Sequence, residues 1–438
     1  MRKGKYLTAI ISLIFMISTY SVTTSLAATL YGDVNSNNSV DAVDFAYLRQ
    51  YILGMRDQID ETAADVSGDG DVNAVDFAYL RQFLLGQITK FPADKIVPTP
   101  TAEVTLTPEI TPTAEPTATI NPDQWKENTG TINLGSTITY TGTGISVSGS
   151  VVSITAGGDH EVKGTLTNGM IYVDTKEKVK LRLSGVNITN AAGPAICFAD
   201  VDKGFITITE GTVNYLTDGS TYSDEKVKGT LFSNDDLEIK GKGTLNITGN
   251  YAHGIACDDD LSIGNGKIFI EAAKDGLSVN DKVEISGGTV YIDSKSDGID
   301  AGKDINISGG TVIALSGKAG FTSKTALNIS GGTLISTGSY TAAPSSNSTQ
   351  ASLYKTLSST VDAGILFNIG LNGSDIVTFA PAKSYNQLFY SSYVLTAGTT
   401  YDINIGGSST GKSTNGLYSG GAYTPGSTNL TAPAALIP

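Results

Sequence analysis

The sequence predicts a large all-β domain coiled as a parallel β-helix, with a small all-α domain ahead of it. Three observations carry this. Gly-centred strand pairs recur about every 22 residues beyond position 237. The nonamer AVDFAYLRQ occurs twice, at 42–50 and 74–82. Between the two patterns, residues 98–122 hold six Pro and eight Thr, a composition that cannot bury a core and makes a semi-rigid spacer.

The chain has 438 residues, with 50 Gly, 20 Tyr and a single Trp. Its net charge of −14 argues against nucleic acid and anionic membrane surfaces, which attract basic patches. Arg2, Lys3 and Lys5 precede the apolar run YLTAIISLIFMIS, and small residues follow, with Ser25 and Ala27 placed for cleavage. This is the layout of a signal peptide over 1–27, and no later stretch is long and apolar enough for a spanning helix. An exported, extracellular protein is expected. The expected divisions after it are 30–91, a linker over 92–122, and 123–438.

Each nonamer follows a cluster of oxygen-bearing side chains. The first is DVNSNNSVDAVD, with Asp33, Asn35, Asn37, Asp41 and Asp44 at positions 1, 3, 5, 9 and 12. The second is DVSGDGDVNAVD, with Asp65, Ser67, Asp69, Asn73 and Asp76 at the same positions. Position 7, Ser39 or Asp71, would contribute its backbone carbonyl. Ca²⁺ takes six to eight oxygens, so carboxylates and amides recur at alternate positions, and this is the twelve-residue calcium-loop spacing. Position 6 needs a sharp turn, which Gly70 suits and Asn38 tolerates. A helix should follow each loop, with Phe45, Leu48 and Ile52 on one face, stopping at Gly54 and Gly86.

The paired loops, Asp at position 12 and the following FAYLRQYILG and FAYLRQFLLG resemble the type I dockerin of cellulosomal proteins. That resemblance implies calcium-dependent folding and binding to a cohesin module on a scaffold protein. It also implies the contact residues: Ala42, Val43, Arg49 and Gln50, and their counterparts Ala74, Val75, Arg81 and Gln82. Many type I dockerins carry Ser-Thr where this chain has Ala-Val.

In the larger domain, LEIKGKGTLNI, LSIGNGKIFI, VEISGGTVYI, INISGGTVIAL and LNISGGTLIS follow one another. Their second turn glycines are Gly243, Gly266, Gly288, Gly310 and Gly332, at intervals of 23, 22, 22 and 22 residues. A third short strand lies between copies: GIAC, GLSV, GIDA and GFTS. Three strands per 22-residue turn describe a parallel β-helix coil. Val283, Ile285, Val290, Ile292, Ile299 and Ala301 should point inward. Residues 212–228 and 341–352 read as loops, and 353–438 as terminal coils or a β cap. Cys197 and Cys257 read as inward core thiols, about two coils or roughly 10 Å apart, too far for a disulfide.

Before the first strand of each coil stand stacked acids: Asp235 and Asp236, then Asp258, Asp259 and Asp260, then Asp281 with Lys282, then Lys303 with Asp304. At a stacking distance of about 4.8 Å these carboxylates repel unless neutralised, by Ca²⁺ between coils or by lysine pairs. A second group, His253, Asp275 and Asp297, precedes the third strands, with Asp300 beside it on the outward face. Asp275 and Asp281 are up to about 20 Å apart, so these are two groups. His253 reads as a polar turn residue.

The SGGTV coils and the Asp triplet at 258–260 resemble pectate-lyase-like right-handed β-helix proteins, and among them exported proteins that bind cellulose and pectic polysaccharide. In the calcium-dependent lyases of that group, an Asp on one coil and an Asp pair on the next hold Ca²⁺; Asp235 with Asp259 and Asp260 matches. The base there is a Lys or Arg, for which Lys303 is the first choice and Lys282 the second. Ser262 and Ile263 stand where a further acid would complete the lyase set. The expected function is binding of plant cell-wall polysaccharide, calcium-assisted for pectin. Flat apolar contacts from Tyr172, Tyr291, Tyr340, Tyr385 or Tyr390 would serve for cellulose. The alternatives are a pectate lyase acting by β-elimination and a glycosidase using converging acids.

Overall fold

The computed structural model describes residues 30–37, 39–52, 56, 58–68, 70–84, 88–95 and 124–436. The expected signal peptide, the linker beyond Lys95, and the stops at Gly54 and Gly86 lie outside them. The chain divides into two compact units, 1–115 and 116–438.

In the small unit, helices Ala42–Ile52 and Ala74–Leu84 carry the doubled segment. Asp41 and Asn73 cap them, each accepting a hydrogen bond from the backbone N–H two residues on, Val43 or Val75, at 2.7 Å. A short helix, Glu61–Ala64, is capped by Asp60. Leu48 and its counterpart Leu80 are fully buried with Val34, Ala64, Val66 and Phe91. Phe45 and Phe77 stack with ring centroids 4.1 Å apart. Ile52, expected on the same face, is exposed. Packing runs past the expected boundary at 91, for the Ala93 N–H reaches the Val66 carbonyl.

The large unit is a β-solenoid of about eight turns. One coil shows the plan: a first strand Val283–Ile285, a second Thr289–Ser294 and a third Ile299–Ala301. Each pairs in parallel with its equivalent a coil away, in strict register: Ile263↔Ile285↔Ile307, Ile270↔Ile292↔Ala314, Leu277↔Ile299↔Phe321. All six expected inward residues of this coil are at most 1% exposed. Burying each Val or Ile contributes about 1.5–3 kcal/mol, so stacked identical columns add up coil by coil. The corner glycine Gly288 has φ +78°, and a Cβ there would meet the Gly266 carbonyl oxygen at 2.6 Å. The corner thus needs glycine for both its backbone and its stacking. In the coil at 237–249 the positive φ falls on Gly241 rather than Gly243.

The expected loop at 212–228 is shorter. Val213–Asp218 is a second strand, and only 219–228 leave the coil. Tyr222 pins this loop, donating to Asp218 Oδ2 at 2.8 Å and stacking on Tyr251. After Gly338 the parallel ladders give way to single parallel bridges, Ala319↔Tyr340 and Leu327↔Pro344, so part of the loop expected at 341–352 still stacks on the last coil. Tyr385–Ser392 pairs antiparallel with Thr333–Gly338 and with Ser352–Val361, closing the last coil under an antiparallel cap. That cover removes an open sheet edge, which would otherwise template aggregation.

At the other end Trp125 stacks on Phe205, centroids 5.5 Å apart. Being the single Trp, it reports on the solenoid alone. Nearby, the His160 ring is fully buried and neither ring nitrogen has a hydrogen-bond partner. Burial pushes its pKa down; Asp159 raises it and Arg182 lowers it. With the folded pKa below the unfolded value, the unfolded chain takes the proton first. The contribution of neutral His160 is therefore full above about pH 6.5 and is lost as pH falls below it. The solenoid's melting midpoint, followed by Trp125 fluorescence, should drop between about pH 7.5 and 5.5, and the drop should shrink in His160→Leu. An equal drop in both proteins would assign the effect elsewhere.

Candidate functional site

The two calcium-type loops fold alike. Asp44 and Asp76 at position 12 are fully buried. Each carboxylate accepts two backbone N–H groups: Asn35 and Asp41 donate to Asp44 at 3.1 and 2.8 Å, Ser67 and Asn73 to Asp76 at 2.9 and 2.8 Å. Position 1 braces the other side. Asp33 accepts from the Asn37 N–H, Asp65 from the Gly68 and Gly70 N–H groups. Position 4 takes the left-handed conformation in both loops, at Ser36 (φ 57°) and Gly68 (φ 74°). The spacing had pointed only to position 6. Asn35 Oδ1 at position 3 is buried with no hydrogen-bond partner, which suits an oxygen shaped for a cation. Loop 1 therefore fits Ca²⁺ through Asp33, Asn35, Asn37, Ser39, Asp41 and Asp44, and loop 2 through Asp65, Ser67, Asp71, Asn73 and Asp76. Asn38, Asp69 and the Ala42 and Ala74 side chains lie outside the described residues.

At position 11 of the loops, Val43 and Val75 are 47% and 46% exposed, unusual for valine. Arg49, Gln50 and Arg81 are exposed and Gln82 half-buried. Each copy therefore offers an apolar contact beside an Arg-Gln pair.

In the solenoid, the acidic corner is laced by turn hydrogen bonds and lysines. Asp235 Oδ2 accepts from the Val201 N–H at 2.9 Å, Asp236 Oδ1 from Asp260 N–H at 3.3 Å, and Asp260 Oδ1 from Lys282 N–H at 3.0 Å. The Asn280 amide donates to Asp258 at 2.8 Å. Lys282 lies 3.8 Å from Asp260, and Lys303 donates to Asp281 at 2.5 Å. Asp259 is exposed; burial first, then Asp236, Asp235, Asp281 and Asp260, raise its pKa. The Lys303 pKa is also raised, chiefly by its bond to Asp281. A lysine general base needs the opposite shift. Among the described residues no three carboxylate, imidazole or thiol groups converge to hold a metal by themselves. The dockerin-type loops add amide, hydroxyl and carbonyl oxygens; the corner instead uses its carboxylates on N–H groups and lysines.

The second acidic group is a buried ladder. His253 Nδ1 lies 3.1 Å from Asp275 Oδ2, and both are only 8% exposed, so His253 is no simple turn residue. Asp275 Oδ1 accepts from the Asp297 N–H, and Asp297 Oδ1 from the Ala319 N–H. Burial alone would raise Asp275, but bonds from His253, Asp297 and Ser296 outweigh it and hold the carboxyl below its usual range. Lys318 pairs with Asp297. Asp300 faces outward beside them, its pKa raised by burial, Asp275 and Asp297. These acids join successive coils; each is committed to a backbone partner except Asp300, which faces outward.

A groove of about 400 Å³ opens on the third-strand sheet, beneath the loop at 219–228. Its floor carries Met170, Tyr172 and Cys197; Asn168 and Asn190 line one side, and Tyr222, Asp224 and Val227 come from the loop. Cys197 pairs in register with Phe232 and Ala256, whereas Cys257 pairs with Ser233. The two thiols thus lie on opposite faces, and Cys197 points outward, contrary to the expectation from sequence. Burial pushes both up to about 12, so neither is nucleophilic at neutral pH. Tyr385 and Tyr390 are 2% and 3% exposed inside the cap and cannot meet a ligand; Tyr340 is exposed and Tyr291 half-buried. Met170, Asn190 and Tyr222 come from separate coils, so no local pattern marks them as one site.

Residues 148–421 match the family described as carbohydrate-binding domain-containing protein. The chain belongs to this family. Residues 31–85 match the dockerin type I domain. A carbohydrate-binding domain-containing protein of Acetivibrio thermocellus is 37% identical over 136 residues, 30% of this chain and 48% of that protein. The match thus spans about half the length of that relative. A solved structure, of the polysaccharide lyase-like protein from C. thermocellum as its gadolinium derivative, is 30% identical and aligns with TM-score 0.44, covering 49% of this chain and 97% of that one. The protein is therefore a carbohydrate-binding family solenoid carrying a type I dockerin. No helix among its described residues is long and apolar enough to cross a membrane.

Proposed function

We propose that this is a secreted, cellulosome-associated polysaccharide-binding protein. Its dockerin, loaded with two Ca²⁺ ions, docks a scaffold cohesin through Val43, Arg49 and Gln50 or through Val75, Arg81 and Gln82. Its solenoid captures plant cell-wall polysaccharide, cellulose or pectic chains. The observation that carries this reading is the joining, in one chain, of a dockerin domain to a carbohydrate-binding family solenoid. Binding is favoured over β-elimination because Lys303, the first candidate base, is held as a cation by Asp281. Lys282 is similarly placed against Asp260. On a pectic chain, calcium arriving with the uronates would meet Asp259, the exposed carboxylate crowded by other acids. The groove beneath 219–228, with two aromatic rings, two amides and a carboxylate, has the lining a sugar needs.

The test uses the full chain with polygalacturonate and excess Ca²⁺, followed by ultraviolet absorbance for unsaturated products. No product is expected, with chelator-sensitive retention on insoluble pectin that survives Lys303→Ala. Sustained product formation that Lys303→Ala removes would establish the lyase instead.

A further inference from the structure

The second-strand sheet has an outer face that none of the sites above uses. Its central outward column runs Asn187, Tyr215, Asn246, Phe269, Tyr291, one residue per coil in unbroken register. Parallel strands stack at about 4.8 Å, so Tyr215 and Phe269 stand about twice that apart with an amide between them. Phe269 and Tyr291 are neighbours, centroids 6.2 Å apart. The column continues into Ile313 and Ile335, and there the cap covers it: these two are 3% and 0% exposed in the cap's core. Tyr291 marks the border. Tyr215, on the open side, is 48% exposed, and Phe269 and Tyr291 are half-buried. The face is thus the uncovered continuation of a packed interface.

The flanking columns say what chemistry would cover it. On one side stand Val213, Thr244, Lys267 and Thr289; on the other, Thr217, Thr248, Glu271 and Asp293. On its own strand Tyr215 is flanked by Val213 and Thr217, and Phe269 by Lys267 and Glu271, while threonines stand on both flanks of the coil between them. The nearest acid beyond Glu271, Asp293, is neutralised by Lys383 at 2.5 Å. Charge is sparse and mixed, which disfavours a polyanion. Ring faces stack on the C–H faces of sugars, and hydroxyls and amides meet sugar hydroxyls. The parallel sheet places one outward residue per coil, about 4.8 Å apart and of the order of one sugar of an extended β-1,4-linked chain, with an amide coil between the rings of Tyr215 and Phe269.

We infer that this face binds a neutral, extended polysaccharide lying along the solenoid axis, with Tyr215 and Phe269 as its stacking residues. The inference rests on the polysaccharide-binding reading above and places the neutral-chain site apart from the acidic corner and the groove.

The full calcium-loaded chain is partitioned between buffer and microcrystalline cellulose, and separately insoluble pectin. The variants are Tyr215→Ala alone and combined with Phe269→Ala, and Tyr215→Phe as the conservative change. Trp125 fluorescence and the solenoid melting midpoint check that each is folded. The double variant should lose about tenfold or more in cellulose affinity, while Tyr215→Phe stays near the parent and pectin retention is unchanged. Unchanged cellulose affinity in a folded Tyr215→Ala protein would overturn the inference and leave the binding function standing. Parent protein that is retained on pectin but not cellulose would do the same. Retention on neither polymer would overturn both. A dimer that Tyr215→Ala converts to monomer, with cellulose affinity unaltered, would assign the face to a second copy and overturn the inference.

Discussion

Chelating calcium from the full chain is expected to abolish cohesin binding and melt the two dockerin helices while leaving the solenoid intact. The dockerin core is small, built around Val34, Leu48, Val66, Leu80 and Phe91. A unit of about 60 residues buries too little apolar surface to be safe without a metal or another staple. Its loops also place carboxylates where water cannot reach them: Asp44 and Asp76 are fully buried, and Asp33 is 5% exposed. Buried negative charge is costly unless a cation compensates it, so the free energy of binding Ca²⁺ is also free energy of folding. Far-UV circular dichroism reads the helices, and Trp125 reads the solenoid. Loss of the helical signal with unchanged Trp125 emission is the expected result; retention of helices and cohesin binding in chelator would refute it. The duplicated surface adds a second arm. Changing Val43 and Arg49 alone should leave cohesin affinity nearly intact, because Val75 and Arg81 present the same contact. Changing all four should weaken it by roughly 30-fold or more, the effect of losing a central anchor.

The second large effect is in the solenoid core. Ile270→Ala should destabilise it by about 2–5 kcal/mol, the range for emptying a buried Ile site. Ile270 is fully buried and stacked between Ile247 and Ile292. A Cβ on Gly254 would already touch the Ile270 side chain at 2.2 Å, so that wall is backbone and the cavity cannot collapse from that side. Because each coil contacts chiefly its neighbours, a weak coil in mid-stack separates the solenoid into two shorter blocks. Denaturant unfolding followed at Trp125 should show a lower midpoint or a second transition. A shift under about 1 kcal/mol would mean that the neighbours repack to fill the space.

Much of this was legible in the residues. The calcium loops depend on oxygen donors at fixed offsets within twelve residues. The coil depends on period-2 alternation and a corner glycine within 22. Both are local, so both repeats read directly. Cys197 shows where that ends. In GPAICF every residue from Pro194 to Phe198 is buried, so alternation could not say which side is the core. The loop at 219–228 covers its outer face, and only the register with Phe232 and Ala256 settles that Cys197 points outward. The column already set His253 beside Asp275; what escaped was that both are buried and in contact, since burial depends on the coils around them. Tyr385 and Tyr390 look like surface rings until the cap strand Tyr385–Ser392 is seen docked on Thr333–Gly338.

By itself, then, the sequence determined the parts: a twinned calcium-loop module, a Gly-cornered β-coil and the column of acids at one corner. The tertiary structure alone decided which faces remain open, where Lys303 and Lys282 send their charges, and which tyrosines can meet a ligand. The physical reason is range. Strand alternation and loop spacing are properties of a dozen residues, whereas exposure and charge pairing depend on atoms contributed by the coil above, the coil below and the cap beyond.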